Sequence, residues 1–164
     1  MIRDYTLKLD LQPIKEYVIS ERKSTQLTAK KSNIGGYQSF IYDKWPEVLF
    51  GLRDFIQAQI PEQTFMTLWY NINGRGCYNL MHDHNKEEGC SGVFYIDAPD
   101  KNMGNLYFEN GKEYEPIPNR LILFPADLKH GVKPNLSNQS RISMSFNYVR
   151  YPEKEMKAMR VWRH

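Results

Sequence analysis

His82 and His84 stand one residue apart in the segment "YNLMHDHN". The segment reads as a β-strand, in which side chains at i and i+2 project from the same face, so the two imidazoles point together while Asp83 points away. Imidazole is a versatile ligand for Fe, Zn, Cu and Ni. The spacing therefore predicts a metal site, although two histidines that only pack or hydrogen-bond remain the alternative.

A third metal ligand would have to come from a distant strand, because two neutral imidazoles need a further ligand to fix an ion while leaving positions open for chemistry. His130, in "LFPADLKHGVKPN", is the remaining internal histidine, and His164 stands at the end of the sequence. We expect His82, His84 and His130 to share one site, and we assign no role to His164.

Arg141 opens the segment "RISMSFNY", in which Arg141, Ser143 and Ser145 share one face of a strand. A guanidinium group suits bidentate capture of a carboxylate. If this face is internal, a bound anion or an internal acid must neutralise the arginine, because an unpaired buried charge is costly. An ordinary surface arginine at the start of a strand is the alternative.

Short strands dominate the sequence from Phe65 onward. The candidate strands, separated by Gly, Pro, Asn and Asp, are "FMTLWYNI", "YNLMHDH", "SGVFYIDA", "NLYFEN", "EYEPI", "RLILFPA", "KHGVKP" and "RISMSFNYV". Seven or eight short strands at this spacing predict an antiparallel sandwich or barrel. We expect a mainly β fold with flanking helices, and a double-stranded β-helix (jelly roll, cupin-like) is the natural candidate.

Other elements flank these strands at both ends of the chain. From the N-terminus, the patterns predict a strand over 5–11, a helix over 13–20 opened by Pro13, a loop over 20–36, a strand over 37–43 and a helix over 46–60. A C-terminal helix is expected over 152–164, where Met156, Met159 and Trp162 form one stripe. The stripe packs back onto the domain or forms a homodimer contact.

Composition and charge limit the class of protein. With 164 residues, 41% hydrophobic and 13% aromatic, the chain is expected to form a single domain over residues 1–164. The net charge of +3 is spread along the chain, so a nucleic-acid partner is not indicated. Cys77 and Cys90 are expected to be reduced thiols. No apolar run approaches the length of a membrane span or a signal peptide, so we expect a cytoplasmic protein.

Five motifs together resemble a known family. The succession "NLMHDHN", "CSGVFYIDAP", "GNLYFEN", "LILFPADLKHGVKPN" and "RISMSFN" is similar to a bacterial and phage family of 2-oxoglutarate- and Fe(II)-dependent oxygenases, related to the prolyl-hydroxylase-like branch. With "GGYQSF", the resemblance covers the chain from about Gly35 to Tyr148.

The resemblance implies a fold, cofactors and an activity. It implies a double-stranded β-helix that holds Fe(II) through His82, His84 and His130, and 2-oxoglutarate whose far carboxylate meets Arg141 with help from Ser143. Asn79 and Asn71 are carried over as further cosubstrate contacts. The expected activity is a hydroxylase that uses O2 and releases succinate and CO2. The sequence departs from the wider superfamily because His84 stands where a carboxylate ligand is usual.

Two other classes of protein remain open from the residues. In a cupin-type metal dioxygenase or isomerase, Glu88 would be a fourth ligand and no 2-oxo acid would be needed. In a non-enzymatic jelly-roll binding module, the histidines would only pack or bind Zn. Under the oxygenase hypothesis the substrate stays open between a peptidyl prolyl side chain, a free amino acid and a nucleoside.

Overall fold

The computed structural model describes residues 1–25, 28–83 and 88–150. Two α-helices, α1 (Leu11–Ser24) and α2 (Phe50–Gln59), and a short 3₁₀ helix (Glu47–Leu49) accompany eleven strands. The strands are β1 (Arg3–Thr6), β2 (Asn33–Ile34), β3 (Tyr37–Gln38), β4 (Thr64–Asn73), β5 (Tyr78–His82), β6 (Gly89–Asp97), β7 (Leu106–Phe108), β8 (Glu113–Tyr114), β9 (Arg120–Pro125), β10 (His130–Val132) and β11 (Arg141–Val149).

The strands form two antiparallel sheets. The larger sheet has the order β1-β9-β6-β11-β4-β3, and the smaller has the order β2-β5-β10-β7-β8. Apart from β3-β4 and β7-β8, neighbouring strands within each sheet are not consecutive in the chain, which passes repeatedly from one sheet to the other. This arrangement brings the segments that carry the histidines and Arg141 into facing sheets.

The main hydrophobic core lies between the helices and the outer face of the larger sheet. Leu52 and Ile56 of α2 are fully buried in the same cluster as Ile142 and Met144 of β11. Successive side chains of a strand point to opposite faces. Arg141, Ser143 and Ser145, which alternate with these core residues on β11, therefore face inward, toward the smaller sheet. The inner face of the larger sheet is therefore not part of the main core and can carry the polar side chains of a binding site.

The predictions for the region after Phe65 agree with the structure. All eight candidate strands are present, and β11 matches its predicted segment residue for residue. The mainly β, two-sheet architecture agrees with the predicted class. The helix expected over 46–60 is also present, as the 3₁₀ helix followed by α2.

The predictions for the N-terminal region are partly wrong. The first strand ends at Thr6, and residues 7–11 do not continue it. Helix α1 begins earlier than expected, at Leu11, because the side chain of Asp10 accepts a hydrogen bond from the backbone N–H of Gln12 and caps the helix. The same helix runs to Ser24, into the predicted loop over 20–36.

The segment 28–41 also differs from expectation. It contains two short strands, β2 in the smaller sheet and β3 in the larger, where a loop and one longer strand were predicted. The strand predicted over 37–43 is reduced to β3 and an isolated bridge between Tyr42 and Leu68. The segment thus links the two sheets at one edge.

Several further predictions concern the thiols, membranes and the C-terminus. Cys77 and Cys90 are both free thiols, as expected. Within residues 1–25, 28–83 and 88–150, no helix has the length and apolar character of a membrane span. The predicted C-terminal helix, with His164 and the proposed dimer stripe, lies outside the described residues.

Candidate active site

A cavity of about 560 Å³ lies between the two sheets. Both sheets line it: β4, β6 and β11 contribute from the larger sheet, and β5 and β10 from the smaller. The cavity receives His82 and His130 from one side and Arg141 from the other. His82 and Arg141, which are 59 positions apart in the sequence, therefore line the same cavity.

His82 and His130 form a close pair at one side of the cavity. They are cross-strand partners on β5 and β10, and their ring centroids are 4.4 Å apart. Two imidazoles that bind one ion through nitrogens at about 2.0–2.1 Å must hold their rings within a few Å of each other. The pair meets that requirement.

Backbone carbonyls fix the proton on both rings. Nδ1 of His82 lies 2.7 Å from the carbonyl oxygen of Leu80, and Nδ1 of His130 lies 2.9 Å from that of Leu128. A carbonyl oxygen only accepts, so each Nδ1 donates, and the lone pair of each neutral ring is on Nε2. This arrangement orients imidazoles for metal binding. The donor set therefore fits a divalent transition metal such as Fe(II).

A β-bulge shapes the strand that carries His82. His130 pairs with His82 and Val132 pairs with Asn79, so Leu80 and Met81 lie opposite the single residue Gly131. Without the bulge, Asn79 and His82 would point to opposite faces, because they are an odd number of residues apart. With it, both line the cavity.

The other candidate metal ligands are placed differently. His84 lies outside the described residues, and among those that are described no group of three His, Cys, Asp or Glu side chains is placed to hold an ion. Asp83 is partly buried and borders the cavity. Glu88, the extra ligand of the cupin alternative, is exposed and does not line the cavity. The three-histidine ligand set stays a prediction.

Arg141 is buried in the cavity wall, with 2% of its surface exposed. Its Nη1 donates to the carbonyl oxygens of Met103 and Gly104, at 2.9 Å each. Its Nε is buried and has no hydrogen-bond partner in the described part of the chain, which also offers it no carboxylate. Burial lowers the pKa of Arg141 from its ordinary value, chiefly because the charged form loses its hydration.

A buried guanidinium group with an unsatisfied Nε at a cavity wall is suited to bind a carboxylate. A buried charge without a partner is strongly unfavourable, and a bidentate carboxylate satisfies both the charge and the donors. The arginine therefore fits the far carboxylate of a diacid such as 2-oxoglutarate.

The remaining predicted cosubstrate contacts also line the cavity. Ser143 is buried and follows Arg141 on the same face of β11, opposite Asn71 on β4. The amide of Asn71 donates to Ser145 at 3.2 Å, and the amide of Asn79 donates to Ser32 at 3.1 Å. Arg141 and the three other predicted cosubstrate contacts, Ser143, Asn71 and Asn79, therefore line one cavity. Their binding roles stay predictions.

The aromatic residues near the site divide between two environments. Tyr70 and Phe94 belong to the outer hydrophobic core. Trp69 instead lines the cavity. Its position follows from alternation along β4, because Leu68 and Tyr70 on either side point outward into the core.

Sequence reasoning did not identify Ser91 and Asn147 as part of the site. Both line the cavity, on neighbouring strands β6 and β11. The signal was present, because the alternation that places Arg141, Ser143 and Ser145 on one face of β11 continues to Asn147.

Comparisons with known proteins agree with this geometry. Residues 107–147 match the family model described as "Putative 2OG-Fe(II) oxygenase". No curated protein sequence matches the chain. The matched segment contains His130 and Arg141 but not His82.

Solved structures of prolyl hydroxylases have the same fold. A prolyl-4-hydroxylase of Pseudomonas putida aligns with a TM-score of 0.68 and 17% identity, over 92% of this chain and 93% of that one. A prolyl hydroxylase of Trichoplax adhaerens, in complex with a hypoxia-inducible-factor peptide, aligns with a TM-score of 0.74 and 16% identity, over 96% and 86%.

A viral structure extends the comparison. The viral collagen prolyl hydroxylase of Paramecium bursaria Chlorella virus-1, in complex with 2-oxoglutarate, aligns with a TM-score of 0.67 and 15% identity, over 90% of this chain and 96% of that one. At these identities the likeness shows the shared fold, which confirms the predicted double-stranded β-helix. The fold and the family match over residues 107–147 together confirm the resemblance indicated by the motifs.

Proposed function

We propose that the chain is a non-haem hydroxylase in which His82, His84 and His130 hold Fe(II), and Arg141 holds the far carboxylate of 2-oxoglutarate. One observation carries the proposal: a buried arginine whose Nε has no hydrogen-bond partner in the described residues shares a cavity with two closely paired imidazoles, whose Nδ1 atoms lie beside backbone carbonyls. His84 is included as a ligand only because of its spacing from His82 in the sequence.

The residues of the chain would bind and orient the cofactors and exclude water from the site. Arg141 receives one end of the diacid, and the hydroxyl of Ser143 adds a donor beside it. Leu106 and Phe124 are buried in the cavity wall and keep water from the reacting groups. When bound, Fe(II) with 2-oxoglutarate supplies the oxidative decarboxylation that consumes O2, releases succinate and CO2, and delivers oxygen to the substrate.

We propose a peptidyl substrate, with a prolyl side chain as the first candidate. Ile41, Leu80 and Met81 line the cavity and are 53%, 51% and 43% exposed, so they form an apolar rim at its mouth. Exposed apolar clusters beside a cavity are typical of sites that receive a polypeptide or an apolar ligand. The Trichoplax adhaerens relative in fold was solved with a peptide bound.

The cupin alternative has less support. It needs Glu88 as a ligand, but this side chain is exposed and lies outside the cavity lining. It also leaves the buried guanidinium of Arg141 without an anion.

Domain organisation and assembly remain part of the proposal. We propose one domain over residues 1–164, supported by the pairing of β1, near the N-terminus, with β9 in the larger sheet. Cytoplasmic localisation and a homodimer through the C-terminal helix stay predictions.

Succinate release in the absence of substrate tests the proposed reaction. The purified chain, reconstituted with Fe(II), should convert 2-oxoglutarate to succinate in the presence of O2, and Arg141→Gln and His130→Ala should abolish the conversion. Mass spectrometry of prolyl peptides incubated with the enzyme should then detect the gain of one oxygen atom. Succinate release that persists in the His130→Ala variant would contradict the assignment.

A further inference from the structure

A group of tyrosines lies behind the cavity, between α1 and the larger sheet. Tyr70 of β4 is 1% exposed, and its ring centroid lies 5.5 Å from that of Tyr42 and 6.0 Å from that of Tyr17 on α1. A phenylalanine in place of Tyr70 would fill nearly the same space without burying a hydroxyl group. The proposed function gives none of these phenols a role.

Trp69 connects this group to the cavity. It precedes Tyr70 on β4, so the two Cα atoms are about 3.8 Å apart across one peptide bond. Because successive side chains of a strand point to opposite faces, Trp69 lines the cavity and Tyr70 lies in the main core. One strand therefore separates an aromatic ring in the cavity from the tyrosine group.

Trp69 lies in the half of the cavity nearer the histidines. It pairs with Ser145 on β11, and the next inward-facing residue of that strand is Asn147. The level of Asn147 continues across β6 to Phe124, whose ring centroid is 4.6 Å from that of His130. One inward-facing step along a strand is about 7 Å, so Trp69 lies about one such step from this level.

Tyr42 forms the other end of the aromatic row. Its backbone exchanges two hydrogen bonds with Leu68, at 2.9 and 3.0 Å, which fixes it beside Tyr70. Its hydroxyl donates to Oε2 of Glu21 at 2.7 Å. Tyr42 and Glu21 are both partly exposed, so this end of the row reaches solvent.

The phenols are neutral in the folded protein. Burial raises the pKa of both Tyr70 and Tyr42, and the hydrogen bond to Glu21 raises the pKa of Tyr42 further. A neutral phenol that loses an electron becomes strongly acidic, so its oxidation needs a base for the proton. Glu21 stands within the distance at which a carboxylate can take it.

We infer that Trp69, Tyr70 and Tyr42 form an electron relay from the cavity to the protein surface. When Trp69 has lost an electron, one electron passes from Tyr42 through Tyr70 and restores the indole. The phenolic proton of Tyr42 passes at the same time to the carboxylate of Glu21. The products are an intact tryptophan, a neutral tyrosyl radical at Tyr42 and a protonated carboxyl group.

The relay rests on the proposed function only for the source of the oxidant. When 2-oxoglutarate and O2 react at the iron site without substrate, the oxidised iron centre is a strong one-electron oxidant, which takes an electron from Trp69. The radical then moves to Tyr42 at the surface, where a soluble thiol can donate a hydrogen atom. The relay thereby spares the side chains around the metal.

Pulse radiolysis of the metal-free chain tests the relay without the iron chemistry. With Trp45→Phe and Trp162→Phe, Trp69 is the single tryptophan of the chain, and azide radicals generated in solution oxidise it. The tryptophyl absorption should decay as the tyrosyl absorption rises. The transfer should be slower in D2O than in H2O, because a proton moves with the electron.

Matched variants in this single-tryptophan chain identify the residues of the relay. Tyr42→Phe should abolish the transfer, and Glu21→Gln, which keeps the shape of the side chain at a partly exposed position but removes the base, should slow it. Tyr5→Phe is the control, because Tyr5 is a partly exposed tyrosine of the same core that packs on Phe55. A tryptophyl radical that decays without a tyrosyl signal, or a transfer that is equally fast in Tyr42→Phe, would overturn the relay.

A second measurement connects the relay to the proposed reaction. With Fe(II), 2-oxoglutarate and O2 but no substrate, freeze-quench EPR should detect a tyrosyl radical in the wild type. The radical should be absent in Tyr42→Phe, although succinate forms at the same initial rate. Succinate without a tyrosyl radical in the wild type would overturn the relay at this site. If the wild type forms no succinate, the proposed function fails, and the radiolysis result still decides the relay.

Discussion

Replacing Arg141 by glutamine tests the proposed anion receptor. The substitution removes the charge and leaves an amide nitrogen near the position of Nε, too short to reach the carbonyl oxygens of Met103 and Gly104, to which Nη1 of Arg141 donates. The loss of these two hydrogen bonds lowers the stability of the ligand-free protein, whereas the removal of a buried charge without a carboxylate partner among the described residues raises it. The role in 2-oxoglutarate binding is therefore measured by the rise in Tm that the ligand causes, relative to the ligand-free form of the same variant.

The size of the loss follows from the hydrogen bonds involved. A hydrogen bond to a charged group contributes about 1.5–3 kcal/mol, so a bidentate pair contributes about 3–6 kcal/mol, or roughly 10² to 10⁴ in Kd. At a ligand concentration of about 100 times Kd, the wild type gains about 2.7 kcal/mol. For a domain of this size that raises Tm by about 5–11 °C, at about 2–4 °C per kcal/mol.

Differential scanning fluorimetry with Mn(II), with and without 2-oxoglutarate, measures this difference. A hundredfold weaker variant at the same ligand concentration gains only about 0.4 kcal/mol, so the rise in Tm should shrink to about 1 °C. Arg53→Gln is the matched control, because Arg53 pairs with Asp54 at the surface of α2. A full rise in Tm in the Arg141→Gln variant would refute the role of this arginine.

Other predictions concern the metal, the thiols and the core. His130→Ala and His82→Ala should each abolish the rise in Tm caused by Mn(II) alone, and a retained rise would place the ion elsewhere. Burial raises the pKa of the Cys90 thiol to about 11, so a thiol reagent at pH 8 should modify only the partly exposed Cys77 in the native chain, and both cysteines after denaturation. Because the folded state holds Cys90 neutral, its contribution to stability should be present below about pH 9 and be lost as the pH rises toward 11; urea denaturation across this range checks the sign. Leu52→Ala, at a fully buried position in the main core, should lower the free energy of unfolding by about 2–5 kcal/mol, and an unchanged urea midpoint would contradict the assignment of this core.

The strands after Phe65 were predictable because local pattern and tertiary environment agree. In β11, alternate residues face the hydrophobic core and the polar cavity, so the sequence alternates in the same way. The prediction of Arg141 and Ser143 on one cavity face follows from that alternation alone.

The N-terminal error has a specific cause. Leu7, Leu9 and Leu11 alternate like a strand, and all three contact the main core. However, the backbones of Leu7 and Leu9 hydrogen-bond to Asn119, and not to a neighbouring strand. Alternate residues of this segment therefore contact the core, as they would in a strand, although its backbone pairs with no strand. The sequence pattern shows the alternation and cannot show the backbone pairing.

The site itself was only partly predictable. The pairing of His82 with His130 followed from histidine types and strand positions, but the bulge at Leu80 and Met81 depends on pairing with β10 and has no local signal. Asn147 was missed although its position on the alternating face of β11 is readable. Its hydrogen-bond partner, Ser91, lies 56 residues away in the sequence, and that pairing has no local signal.

A crystal structure with Mn(II) and 2-oxoglutarate, grown without O2 and located by anomalous scattering of the metal, tests the central claim most directly. We predict one Mn(II) ion bound to Nε2 of His82 and of His130, with the far carboxylate of 2-oxoglutarate on Arg141. A metal ion bound away from both imidazoles, or a diacid that leaves Arg141 without an anion, would contradict the account.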